Sequence, residues 1–262
     1  MIQHLVMNKK LHDKELFAKA VSHSICEISQ EKDSSEILFT KRAMINQFKD
    51  NVVVKNSLKY LIHNLKKTNT HRQLNDNKNQ LFLLFLDNKR KVHKHIKHKT
   101  TTNKKIYVHG INTLLSYSLD KLKKNKNIEV IAPKLTPIYE NWQYLGEGIK
   151  YVEDLDMYYA IKESNMILIG ADKISKNHTI CKKGTNMCIE IANKFHKPTY
   201  VCASSFYLDA HNAIKDKEFE KHYEKIKNKS ISGIISELGI HQSHHFYYEA
   251  LHYNSWLKNK DL

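Results

Sequence analysis

Near Lys104 the hydrophobic pattern of the chain changes period, which limits the folds open to it. Before that point apolar residues recur every three or four positions, as on a helix; after it, short apolar runs alternate with amphipathic segments. In "DKELFAKAVSHSICEI" (Asp13–Ile28) the residues Leu16, Phe17, Ala20, Val21, Ile25 and Ile28 fall on one helical face. "SSEILFTKRAMINQFKDNVVVKNSLKYLIHNLKK" predicts one or two more helices, with Ser34 or Ser35 as the cap, and "QLFLLFLDNKRKVHKHIKHK" predicts another. From Lys104 onward "KKIYVHG", "NIEVIAP", "GIKYVED", "NMILIGAD" and "PTYVCA" read as strands. Helices are expected between them at "NTLLSYSLDKLKK", "YENWQYL", "MYYAIKES" and "TNMCIEIANKFH". Strands that are apolar on both faces and separated by helices imply a parallel sheet covered on both sides. The expected class is therefore α/β, with a helical N-terminal domain over residues 1–103 and a parallel-sheet domain over 104–262. "SISGIISELGI" reads as a further strand or helix, and the aromatic "HQSHHFYYEALHY" as a docking segment rather than a metal site.

The bulk composition narrows the function classes. The 262 residues carry a net charge of +16, almost all of the excess from lysine spread along the whole chain. Arginines, whose planar fork grips phosphate in two places, are nearly absent, so the charge reads as a solvated surface and no direct nucleic-acid contact is expected. Cys26, Cys181, Cys188 and Cys202 form no CxxC pair, which argues against a zinc site or a disulfide framework and for a reducing compartment. The start has no apolar leader-like run, and "LFLLFL" (Leu81–Leu86) is far too short to span a bilayer, so a soluble, cytoplasmic protein is expected.

Sites in parallel sheets form at the carboxyl ends of strands, where Gly110, Pro133, Asp172 and Ala203 fall. "GAD" followed by "CKKGT" puts Asp172 at one such end, with Lys182, Lys183, Gly184 and Thr185 opening the next helix. Backbone N–H groups and the dipole at a helix start attract an anion; Thr185 serves equally as a plain cap. In "VHGIN", His109 and Asn112 reach toward the same crevice as a proton carrier and an amide contact, or serve as hydrogen-bonded structural residues. The run "NKRKVHKHIKHK" (Asn88–Lys99) raises metal or RNA binding. His93, His95 and His98 share no spacing with a carboxylate, and flanking lysines repel a dication, so the run reads as a solvated helix end favoured by the macrodipole. No Gly-rich nucleotide loop, nucleophile elbow or zinc-helix motif occurs, and neither a metal nor a cofactor is expected.

The segment "ILIGADKISKNHTICKKGTNMCIEIANKFHKPTYVCASSFYLD" resembles the C-terminal signature shared by the α, β and δ regulatory subunits of eukaryotic initiation factor 2B and two sugar-phosphate isomerases, which act on methylthioribose 1-phosphate and ribose 1,5-bisphosphate. "IYVHGIN", "VIAPKLTPIYEN" and "ISGIISELGI" resemble further family segments in the same order, so the likeness covers about Lys104 to Ile240. It implies a helical domain followed by a Rossmann-like domain. In the isomerases a cysteine follows the T-H pair and works with the GAD aspartate; here Asp172 is present but Gly110 stands at the cysteine's place. The family's R-P is Thr136-Pro137, and the asparagine of its N-K-I-G-T is Cys181, while Lys182, Gly184 and Thr185 match. Losing one of two proton carriers typically costs about 10²–10⁴-fold. The resemblance thus implies an initiation factor 2B α-like regulatory protein that holds a phosphate or sugar phosphate without turnover. Its ligand contacts would be His109, Gly110, Asn112, Asp172, Lys182, Lys183, Gly184 and Thr185. The alternative is a divergent isomerase using Asp172. A homodimer is expected, with other initiation factor 2B-type subunits or initiation factor 2 as further partners.

Overall fold

The computed structural model describes residues 14–29, 34–47, 51–63, 65, 70–101, 105–125, 127–134, 148–210 and 222–258. The chain forms two compact units, Met1–Asp87 with Leu251–Leu262, and Asn88–Ala250.

The first unit is helical, built from α1 (Lys14–Ile28), α2 (Ser34–Gln47), α3 (Val52–Ile62) and the first part of α4 (Thr70–Thr100). The buried face of α1 is rotated from the expected one. Leu16 is 53% exposed, while Ala18, Val21, Ser22, Ile25 and Cys26 are buried. The Ser22 hydroxyl donates to the Ala18 carbonyl, so a polar side chain sits inside at little cost and lets the neighbouring helix approach closely. α1 packs on α3, which is buried on nearly every side and capped by the Asn51 side chain accepting from the Val54 amide. Trp256, in a short 3₁₀ turn at Ser255–Lys258, meets Tyr60 of α3 edge-on with 5.6 Å between ring centroids. Within "HQSHHFYYEALHY" itself Phe246 is buried, while Tyr248 and Tyr253 are exposed.

The second unit is a nine-stranded sheet. Its main path runs β3 (Ile149–Val152), β2 (Glu129–Pro133), β1 (Lys105–His109), β4 (Met166–Ile174), β6 (Thr199–Cys202), β8 (Gly233–Ser236) and β9 (Gly239–His241). All pairings from β3 to β8 are parallel, and β9 folds back antiparallel on β8, so "SISGIISELGI" is a hairpin. All nine residues of β4 are buried, as the expectation of a sheet covered on both faces requires. The helices α5 (Thr113–Leu122), α6 (Met157–Glu163) and α7 (Thr185–Lys194) follow β1, β3 and β5, and α8 (Ser243–Tyr253) closes the unit's sequence.

An antiparallel arm departs from the expected loop. β5 (His178–Lys182) pairs with the far end of β4, and β7 (Tyr223–Lys227) pairs with β5. "TICK", which lies outside every strand expected from the sequence, is strand because both of its edges find partners. The expected helix through "YENWQYL" and the pair Thr136-Pro137 lie outside the described residues.

Candidate functional site

The order β2-β1-β4-β6 reverses direction at β1, so the ends of β1 and β4 flank the switch point where a doubly wound sheet opens a crevice. The expected site residues gather there. Gly110 follows β1, Asp172 lies in β4 where its pairing with β5 shifts register, and Lys182, Lys183, Gly184 and Thr185 lead from β5 into α7.

Most of the polar groups at this crevice are engaged by the scaffold. His109 is fully buried and its Nε2 lies 3.0 Å from the Lys183 carbonyl. A carbonyl only accepts, so Nε2 carries a proton. Burial holds its pKa down at about 4. The imidazole therefore pins the turn before α7 to the end of β1, away from any substrate proton. Gly184 shows why that turn needs a glycine: its φ is +90°, and a Cβ there would come within 3.1 Å of His109 Cε1.

Asn112 spends its whole hydrogen-bonding capacity on the scaffold. Its Oδ1 accepts from the Leu115 amide and caps α5, while its Nδ2 donates to the carbonyls of Ala171 at 3.0 Å and Cys202 at 2.8 Å. One side chain thus ties the ends of β4 and β6 to the start of α5. Thr185 is buried and donates to the Lys182 carbonyl at 2.6 Å, so its hydroxyl braces the turn and does not cap α7, whose N-cap is Gly184. Lys182 donates to the Tyr223 hydroxyl at 2.7 Å and lies over that ring at 4.0 Å, while Lys183 is exposed. Gly110 has a φ of +58°, and a Cβ there would press on Lys182 Cβ at 3.3 Å. Asp172 is 7% exposed and Asp209, seven residues past the end of β6, forms a buried ion pair with Lys173 at 2.9 Å.

The start of α7 holds an anion, and the anion is the protein's own. Glu224, from β7, accepts from the Asn186 amide at 2.6 Å and from the Asn186 side-chain amide at 3.2 Å. No side chain next to Gly184 caps the helix; the carboxylate arrives from 38 residues downstream. Sequence reasoning singled out neither Glu224 nor Glu237. The latter, in the turn after β8, accepts from the Ser205 amide with both oxygens at 2.9 and 3.2 Å, and burial pushes its pKa up. The family-like "ISELGI" was the available signal for Glu237, and none pointed to Glu224. The four cysteines are buried, and burial raises the thiols of Cys188 and Cys202 well above their ordinary value, so neither supplies a thiolate. Among the described residues there is no cluster of His, Cys, Asp and Glu fit to hold a metal ion, and no helix is long and apolar enough to cross a membrane.

A helical unit joined to a doubly wound sheet, with its crevice at the β1/β4 switch point, defines the class of protein. The sequence profile of the Initiation factor 2 subunit family matches residues 9–243, and the chain belongs to that family. Its fold is similar to that of the translation initiation factor eIF-2B of Pyrococcus horikoshii, with a TM-score of 0.73 at 18% identity over 90% of this chain and 93% of the other. It is similar also to eIF2B beta of Chaetomium thermophilum, with a TM-score of 0.74 at 12% identity over 95% and 88% of the two chains. The 5-methylthioribose 1-phosphate isomerase of Pyrococcus horikoshii shares the fold as well, with a TM-score of 0.65 at 12% identity over 94% and 85%. In sequence, a putative methylthioribose-1-phosphate isomerase of Methanothermobacter thermautotrophicus is 26% identical over 148 residues, which is 44% of this chain and 48% of that protein. The chain therefore matches about half the length of that relative.

Proposed function

We propose that this chain is a cytoplasmic regulatory protein of the initiation factor 2B α type, which works through subunit contacts in translation initiation and does not isomerise sugar phosphates. The observation that carries this reading is Gly110. The isomerase-like cysteine at that place would need a left-handed backbone and would press its Cβ on Lys182, and the buried thiols nearby do not substitute for it. A ribose phosphate entering the crevice has to compete with Glu224 for the first amides of α7. Its retained handles are Lys182, Lys183 and Asp172, so any binding is without turnover. Homodimer formation and association with other initiation factor 2B-type subunits or initiation factor 2 are part of the same proposal. A neighbour solved as a tetrameric eIF2B-beta2-delta2 complex supports subunit partners in general.

The test is to incubate methylthioribose 1-phosphate and ribose 1,5-bisphosphate separately with the wild type and with Gly110→Cys, and to follow both by NMR. No isomerisation is expected in any sample, because a side chain at position 110 needs a left-handed backbone and presses on Lys182, which strains the variant's thiol. Turnover by the wild type that disappears in Asp172→Asn overturns the regulatory reading in favour of the isomerase.

A further inference from the structure

The C-terminal part of α4 does more than carry charge into solvent. Between Asp87 and Asp120 the sequence has no acidic residue, and it has eight basic ones at 89, 90, 91, 94, 97, 99, 104 and 105. Arg90, Lys94 and Lys97 are exposed and lie at i, i+4 and i+7, along one face of the helix. Seven residues of helix rise about 10 Å, so these cations form a row with steps of about 5–6 Å. The row runs into a cleft of about 480 Å³ lined by His93, Lys97, Thr101, Lys121, Lys124 and Asn127, among others. Lys121 and Lys124 come from the end of α5 and the turn behind it, so the fold gathers cations that the sequence separates by more than twenty positions. The lining contains no carboxylate. Among the described residues Lys97, Lys121 and Lys124 form no ion pair, and the one carboxylate on this stretch of α5, Asp120, is held by Lys123 at 3.0 Å. Burial, and then Lys121 and Lys97 beside it, lower the pKa of His93 and so disfavour a further positive charge among these cations.

From this arrangement, and against the expectation drawn from the scarcity of arginine and the scattered lysines, we propose that the α4–α5 cleft binds the phosphate backbone of single-stranded RNA. The occupant follows from what the surface provides. A lone small phosphate would use the cleft but not the row leading to it, whereas a polymer with a charge at each repeat uses both. A peptide partner needs buried apolar or aromatic anchors, and of the two apolar side chains lining the cleft Leu122 is only 3% exposed, leaving the half-buried Ile128 alone. Affinity at such a surface comes from counterion release, which a phosphate backbone supplies at high charge density. Lysine ammonium groups meet phosphates as point charges without reading bases, so binding is independent of sequence and strongly dependent on salt.

The experiment measures fluorescence anisotropy of a labelled oligouridylate with the full chain over a salt series. With five cations engaged (Arg90, Lys94, Lys97, Lys121 and Lys124), the slope of log affinity against log salt is expected to be about −3.5, or roughly a hundredfold loss between 50 and 200 mM. The triple variant Lys97→Gln/Lys121→Gln/Lys124→Gln is expected to flatten the slope to about −1.4. Its control is Lys176→Gln/Lys227→Gln/Lys229→Gln, which removes the same charge from a second basic cleft near α8 and is expected to leave the slope unchanged. All of these positions are on the surface, and thermal melts check that the variants fold. Equal losses in both triple variants would make the binding a property of net charge and overturn the proposal. So would competition by poly-glutamate at the same charge concentration as strong as that by unlabelled RNA, which would assign the cleft to an acidic polypeptide.

Discussion

Replacing Glu224 by glutamine tests the assignment of the α7 start as a self-occupied anion site. The substitution keeps the shape of the side chain and removes its charge. In the wild type one carboxylate oxygen is 2.6 Å from the Asn186 amide and the other 3.2 Å from the Asn186 side chain. A carboxylate at a helix start contributes about 0.3–1 kcal/mol when exposed, and solvent at this exposed pair keeps the figure near that range. We therefore expect a loss of about 1 kcal/mol, which in a chain of this size lowers the melting temperature by about 2–4 °C. The same loss of charge should favour an incoming phosphate. Removing a like charge about 4 Å away is worth about 1 kcal/mol in water and several times more at lower effective dielectric, so affinity for ribose 5-phosphate should rise at least about fivefold. Calorimetric titration of both proteins reads the affinity, and thermal melts read the stability. Raising the salt should narrow the gap between them, since both effects are screened. Identical melting and identical phosphate affinity in the two proteins would refute the reasoning and return the carboxylate to the ordinary surface.

Two further outcomes follow from the buried groups. His109 has a folded pKa of about 4 against an ordinary 6.5, so the unfolded chain takes up its proton first. The contribution of the neutral ring is complete above about pH 6.5, falls as the pH drops towards 4 and is flat below, for a total of about 3 kcal/mol; urea melts of wild type and His109→Gln over this range should diverge only inside that window. Lys173→Ala leaves Asp209 buried without its cation and should cost about 3–5 kcal/mol, while Lys173→Ala/Asp209→Ala should recover part of it, as denaturant midpoints can check.

The alternation of strand and helix was legible because parallel strands bury both faces and so leave continuous apolar runs such as "MILIGA". The start of α5 was legible from where "NTLLSYSLDKLKK" begins its helical pattern, although the sequence did not mark Asn112 as its cap. The arm of β5 and β7 was not, because β7 alternates Lys with one buried residue, Ile226, and its pairing partner lies more than forty residues away. The site suffered the same loss. His109 and Asn112 were legible as polar groups meeting in one crevice, yet their partners are backbone atoms distant in sequence, which no local pattern announces. Glu224 was invisible for a plain reason: an isolated glutamate among lysines looks like surface until the strand carrying it is placed beside α7.

The carboxylate at the start of α7 also fixes how this fold responds to its surroundings. A helix completed by a soluble phosphate draws part of its stability from mass action, as RT ln(1 + [L]/Kd), and weakens when the metabolite is scarce. A helix completed by its own glutamate has a counter-ion at constant effective concentration, set by the pairing of β7 with β5. Its folded population is thereby uncoupled from the supply of sugar phosphates, so the surfaces it offers to other chains keep the same shape in starved and fed cells alike.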